Sequence, residues 1–161
     1  MPGIKPGMTS DDMPPQSFMD IAIIEARAAG ELGEVPVGCV IVRGPEVVAR
    51  AGNRTLADRD PTGHAELIAI RAAAASLASE RLADCDLYVT LEPCAMCAAA
   101  MSFARIRRLY YGAPDPKGGA VENGVRYFSS PTCHHRPEIY SGIGESEAGE
   151  LLRAFFAARR S

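Results

Sequence analysis

The chain has 161 residues, 47% of them hydrophobic and 23% charged, which fits one soluble domain whose core needs no disulfide staples. No apolar run reaches the roughly 18 residues of a membrane span, and no basic-then-apolar leader marks a secretory signal. A formal charge of −3 gives no general electrostatic reason to expect a nucleic-acid partner.

In chain order, residues 1–15 (MPGIKPGMTSDDMPP) are rich in Pro, Gly and acid and are expected to form a mobile leader, with Met8 and Met13 as alternative starts; one domain is expected over 16–161. Ser17 is placed to cap a helix over about 18–30, with Phe18, Ile21, Ile24 and Ala28 on one stripe and Gly30 near its end. VPVGCVIV (35–42) is rich in β-formers, and Arg43-Gly44-Pro45-Glu46 reads as a turn into a second strand, VVARAG (47–52). A polar loop (53–63) leads to an alanine-rich helix over about 64–79, with Leu67, Ile70 and Leu77 at helical spacing.

DLYVTL (86–91) has the pattern of a short buried strand, AMCAAAMSFA (95–104) reads as helix and RRLYYG (107–112) as strand. Residues 113–142 are loop-rich, and a last helix is expected over about 145–159 with Leu151, Leu152, Phe155 and Phe156 as its apolar face. Strands separated by helices predict an α/β sandwich of three layers, with a mixed, partly parallel sheet of about five strands.

Charge is unevenly placed. Residues 1–100 carry 8 Lys/Arg against 14 Asp/Glu, a net of −6, and residues 101–161 carry 9 against 6, a net of +3. Such asymmetry signals either an anionic partner or solvated helix faces. Five cysteines, an odd number without a short-scaffold composition, point to a reducing, cytoplasmic compartment rather than a disulfide framework.

Two short segments carry chemistry, and each opens a helix. Cys94-Ala95-Met96-Cys97 follows Pro93, which suits a first helical turn, and puts two thiols on one face at i and i+3. The partial positive charge of a helix N-terminus favours the thiolate that a metal requires. The second segment is His64-Ala65-Glu66. Helix starts gather at the carboxyl ends of an α/β sheet, so His64 can meet Cys94 and Cys97 across 30 residues of sequence.

One nitrogen and two sulfurs suit Zn²⁺ with a fourth position left to water. Glu66 then stands beside that water, free to move protons. A structural zinc would need a fourth ligand, for which Cys39, Cys85, Cys133, His134 and His135 are candidates, and C-x-x-C alone also serves redox chemistry. The complete H-x-E…P-C-x-x-C pattern favours the catalytic zinc of nucleobase deaminases.

With those motifs in place, the chain closely resembles the bacterial tRNA-specific adenosine deaminases, a branch of the cytidine-deaminase-like fold. The resemblance runs from about Ser17 to Arg160 through EVPVG (34–38), GNR (52–54), DPTGHAE (60–66), LYVTLEPCAMCAAAM (87–101), RIRRLYYGAPDPKGGA (105–120) and FFAARR (155–160). It implies hydrolysis of adenosine to inosine at wobble position 34 of an arginine tRNA with anticodon ACG. Zinc would be held by His64, Cys94 and Cys97, one ion per subunit, with Glu66 as proton shuttle.

The resemblance further implies that Asn53 hydrogen-bonds the flipped base or its ribose and that Val35 packs on that base, with Ala65 also in the substrate-binding set. Asp115, Lys117, Phe156 and Arg160 would hold flanking nucleotides. A homodimer acting on the tRNA anticodon stem-loop is implied, with no DNA and no membrane partner. Gly63 stands where alanine is expected, Cys39 is read as a small buried hydrophobe, and Cys133-His134-His135 as a loop near the substrate. A zinc deaminase of a free base or nucleoside would use the same core, and a structural zinc or RNA-binding module is the reading without catalysis.

Overall fold

The computed structural model describes residues 15–160. Helix α1 (Pro15–Glu31) opens with the proline, whose fixed φ and missing N–H suit a first turn. Ser17, expected to cap the helix, is therefore buried inside it. Of the leader expected over 1–15, residues 1–14 lie outside the described residues and Pro15 belongs to α1.

Strands β1 (Gly38–Arg43) and β2 (Glu46–Gly52) form an antiparallel hairpin through Gly44, whose φ of +59° is the left-handed conformation the tight turn needs. Helix α2 (Ala65–Leu77) follows, then strand β3 (Cys85–Leu91), helix α3 (Ala95–Ala104) and strand β4 (Arg108–Ala113). Within the loop-rich 113–142 stretch lie a single 3₁₀ turn (Tyr127–Ser129) and strand β5 (Glu138–Tyr140), before helix α4 (Glu145–Arg160). The sequence pattern of 113–142 does not locate β5, because a strand of three residues is too short to show a periodicity.

Among the described residues the sheet order is β2-β1-β3-β4-β5. β1 is antiparallel to both β2 and β3, while β3, β4 and β5 pair in parallel, so β2 through β5 all run one way and β1 runs against them. β3 sits at the centre and is buried over six of its seven residues, as a strand covered on both faces must be.

Alternate strand residues serve opposite layers. Cys39, Ile41, Leu87, Val89, Leu109 and Tyr111 pack with α2 and α3, whereas Val40, Val42, Tyr88 and Tyr110 pack with α1. The second set includes an aromatic ladder, Phe18–Tyr88–Tyr110–Tyr140, with ring centroids 5.4, 4.3 and 4.9 Å apart. The tyrosines fall opposite one another in register across β3, β4 and β5.

Two glycines set how close the helices come. A Cβ at Gly38 would lie 1.9 Å from the Ala22 carbonyl oxygen and 2.5 Å from the Ala26 nitrogen, so the backbone of α1 rests directly on β1. At Gly112 on β4 a Cβ would meet the Thr90 carbonyl at 2.6 Å and Ala148 of α4 at 3.2 Å. The seat at Gly38 also corrects the expected apolar stripe of α1. Phe18 and Ile21 of that stripe are buried with Met19, Ala22, Ile23, Ala26 and Ala29, while Ile24 is 54% exposed and Ala28 lies at the surface.

Candidate active site

Because β2 and β3 run the same way, the helices that follow them begin at one edge of the sheet. His64 is the N-cap of α2, extended at ψ 147°, and its carbonyl accepts the Ile68 N–H. Before it, Asp60 accepts hydrogen bonds from the Thr62 N–H and hydroxyl, an Asx turn that aims the chain into the helix. Gly63 lies in this turn rather than in the helix, and a Cβ there would press the Asp60 carbonyl at 3.1 Å. Cys94 is the N-cap of α3, with ψ 174° and its carbonyl accepting from Ala98. Pro93 thus precedes the cap instead of occupying the first turn, since Cys94 takes the extended conformation favoured before helix entry.

The three donors converge. His64 Nδ1 lies 3.5 Å from Cys94 Sγ and 3.6 Å from Cys97 Sγ, and all three ligand atoms fall within 4.8 Å of one another. Among the described residues this is the one such group of three or more metal-binding side chains. A hydrogen bond from Cys97, joined by one from His64, pulls the Cys94 thiol down to about 4 against the upward push of burial. Cys97 is driven up by its hydrogen bond to Cys94 and by burial, and the hydrogen bond to Cys94 draws His64 above its ordinary value of 6.5. Two sulfurs, one of them a ready thiolate, and an imidazole nitrogen match tetrahedral Zn²⁺ with one open position. The residues fit the ion.

Glu66 is 4% exposed, and burial pushes its carboxyl up to about 7, a value suited to taking and returning a proton near neutrality. It faces a cavity of about 320 Å³, whose walls include His64, Cys94, Asn53, Val35, Leu91 and Asp115. Asn53 Oδ1 accepts the Ala65 N–H at 2.9 Å, and the residue lines the cavity. Ala65 itself is fully buried and is absent from the walls.

A second cavity of about 570 Å³ shares Val35, Leu91, Asp115 and Gly118 with the first and adds Pro114, Lys117, Leu152 and Phe156. Val35, Asn53, Asp115, Lys117 and Phe156 are thus brought together around one continuous hollow. Arg160 ends α4, and its side chain lies outside the described residues.

Cys133-His134-His135 is elsewhere. The Cys133 thiol donates to the His135 carbonyl, His135 Nε2 bonds the Ile106 carbonyl at 2.7 Å, and the His135 N–H bonds Ser102 Oγ. The segment is fastened to the far end of α3 and not to the substrate loops, which corrects the expected placement near substrate. Cys39 is fully buried in β1.

Sequence reasoning missed two buried carboxylates that shape the hollow. Glu34 accepts from Thr55 Oγ1, Leu56 N and Ala57 N, pinning the loop after Asn53. Glu92, directly after the buried run of β3, gathers N–H groups from residues 115–123. A carboxylate wedged between an apolar strand and Pro93 was the available signal.

Residues 13–113 match the family model described as the cytidine and deoxycytidylate deaminase zinc-binding region. A tRNA-specific adenosine deaminase of Agrobacterium fabrum is 64% identical over 143 residues, covering 89% of this chain and 94% of the relative. A solved structure from biochemical and structural studies of A-to-I editing by tRNA:A34 deaminases is also 64% identical, with TM-score 0.83 over 84% of this chain and 99% of that one. The guanine deaminase of Bacillus subtilis matches with TM-score 0.64 and 31% identity over 92% and 96% of the two chains. With its paired helix caps gathering one imidazole and two thiols at the sheet edge, the chain belongs to the cytidine and deoxycytidylate deaminase zinc-binding family and, within it, to the tRNA-specific adenosine deaminases.

Proposed function

We propose that the chain deaminates adenosine to inosine at wobble position 34 of tRNA, with the ACG anticodon of an arginine tRNA as substrate. The observation that carries an RNA substrate over a free base is the hollow itself. The metal-edge cavity continues into a larger one lined by Lys117 and Phe156, which a lone base has no use for. A cation for phosphate and an exposed aromatic ring for stacking are the groups a splayed-out nucleotide needs. The 64% identity to the Agrobacterium fabrum relative supports the same reading.

Zinc, when bound, acts as a Lewis acid that brings the pKa of a water from about 15.7 towards 7. Glu66 takes the proton of the attacking water on its carboxylate and delivers it to purine N1. As the C6–N bond breaks, Glu66 takes the second proton from the oxygen now bonded to C6 and passes it to the amino group, which leaves as ammonia while C6=O forms. Asn53 Nδ2 donates to the base or ribose, while Val35 and Leu91 press on the ring from the cavity wall. Asp115, Lys117 and Phe156, with Arg160 at the end of α4, hold the flanking nucleotides.

A homodimer is part of the proposal. Residues 93–104 carry no charge, and Phe103 on α3 is 71% exposed, a surface suited to cover by a second copy. Light scattering across a concentration series tests it, and a monomer throughout would refute it. We place the protein in the cytoplasm, where its free thiols stay reduced and tRNA is at hand; among the described residues no helix is long and apolar enough to cross a membrane.

The central test is incubation of zinc-loaded protein with an arginine anticodon stem-loop containing ACG, scored for inosine, beside free adenine, guanine, adenosine and cytidine. Inosine at the first anticodon position with the free compounds untouched is expected. Ammonia from a free base with an unmodified stem-loop would favour the guanine-deaminase-like alternative.

A further inference from the structure

Glu92 is 2% exposed, yet its carboxylate accepts five hydrogen bonds from one segment of chain. Oε1 takes the Asp115 N–H at 3.0 Å and the Asn123 side-chain amide at 2.7 Å, and Oε2 takes the N–H groups of Val121, Glu122 and Asn123, each at 3.0 Å. Both oxygens are saturated, so this acid has no capacity left for a substrate or a proton relay. Its own N–H bonds the Ala113 carbonyl at 2.8 Å, and the neighbouring Pro93 carbonyl accepts from Ala120. One short stretch thus ties the ends of β3 and β4 to the segment that follows β4.

The segment is built around the acid. At Gly119 a Cβ would lie 2.5 Å from the Glu92 carboxyl carbon and 2.6 Å from the Asp115 carbonyl, so only glycine lets the loop close over the carboxylate. The held loop presents Asp115, Lys117 and Gly118 to the outer cavity, while Glu92 itself stands two residues before Cys94. Desolvation of a carboxylate is offset here by N–H groups that would otherwise be unpaired in the same interior.

We propose that Glu92 is a positioning residue that fixes the 113–124 segment as the outer wall of the pocket, and so sets how tightly the RNA flanking the target adenosine is held. It rests on the reading of an RNA substrate above. Glu92 borders the inner cavity beside Leu91 and Cys94, but with both oxygens taken up by the segment it acts through Asp115 and Lys117. Its loss therefore weakens substrate and transition state alike, which raises KM and leaves kcat.

The test uses the zinc-loaded full chain as parent, Glu92→Gln and Gly119→Ala. Gln places an NH₂ against N–H donors that need an acceptor, and Ala at 119 pushes the loop off an intact acid. For both variants the expected result is one zinc per chain, KM for the anticodon stem-loop raised about tenfold and kcat within about threefold. The amides of Asp115, Val121, Glu122 and Asn123 should exchange with deuterium at least about tenfold faster, with those of α3 unchanged.

A drop in kcat at unchanged KM, loss of zinc, unchanged kinetics despite faster loop exchange, or exchange accelerated uniformly with a lower Tm would each overturn the proposal. Should Glu92→Gln fail to fold, Gly119→Ala decides. If the parent makes no inosine, the RNA reading fails on its own, and zinc content with local exchange still judges whether Glu92 clamps the loop.

Discussion

The two faces of the sheet solve opposite packing problems. Towards α1 the sheet presents large rings stacked in a ladder, Tyr88 on Tyr110 on Tyr140, with Phe18 tilted against them. Towards α2 and α3 the helices meet it with Ala65, Ala69, Ala73, Ala98 and Ala104, nearly the smallest side chains available. Bulk on one side supplies buried area. Smallness on the other lets two helix starts approach until His64, Cys94 and Cys97 share one point. The face that carries function has given up side-chain volume for closeness, so substitutions on the two faces should fail differently.

The largest effect is expected at the site. Glu66→Ala should lower inosine formation on the order of 10³-fold while keeping one zinc per chain, because Glu66 moves protons and is not a ligand. Metal analysis beside the activity assay checks it; zinc lost together with activity would contradict that role. Next, Ala69→Leu on the functional face should cost about 1–3 kcal/mol in denaturant unfolding through overpacking, and should weaken zinc retention by displacing α2. An equally destabilised variant that holds zinc as tightly as the parent would show that closeness of the alanine face is not what aligns the ligands.

In the connection between α1 and β1, Glu34 gives a pH-dependent test. Burial by itself would raise its carboxyl, but hydrogen bonds from Ala57, Leu56 and Thr55, with Arg54 nearby, hold it below the ordinary 4.5. A depressed carboxyl contributes stability that is present above the unfolded value and is lost as pH falls through the folded one. Glu34→Gln should therefore be less stable by about 1–3 kcal/mol at pH 7. The gap should shrink as pH falls below 4.5, and a gap independent of pH would mean the charge does not matter.

The smallest effect belongs to the aromatic face. The buried Tyr88 hydroxyl makes no hydrogen bond of ordinary geometry among the described residues, with Tyr110 the polar group beside it, so Tyr88→Phe should leave activity unchanged and stability equal or higher, within about 1 kcal/mol. A loss beyond that would reveal a partner for the hydroxyl.

What could be read from the sequence followed the range of the interaction responsible. α3 was legible to the residue, 95–104, because its bounds are local: Pro93 before it and a run of helix formers within it. His64, Glu66, Cys94 and Cys97 were legible because ligand chemistry restricts residue type and spacing together. Ile24 is exposed against expectation because the contact face of α1 is set by Gly38, distant in sequence, and not by the periodicity of the helix alone. Helix α2, expected to run to about 79, ends at Leu77, where Ala78 turns left-handed with φ 50°, a conformation that side-chain type gives no reason to expect. Glu34 and Glu92 stayed hidden because their partners are backbone amides, which every residue but proline carries and no pattern marks.

The seat of α1 on Gly38 has a consequence for motion. Layered proteins rearrange either by sliding packed helices over one another or by hinging at the segments that join them. With the Ala22 carbonyl lying where a Cβ of residue 38 would stand, backbone rests on backbone, and no flexible side chain is present to absorb a slide. Sliding of α1 along the sheet is therefore blocked, and any rearrangement of that layer falls to residues 32–37, the segment that joins α1 to β1.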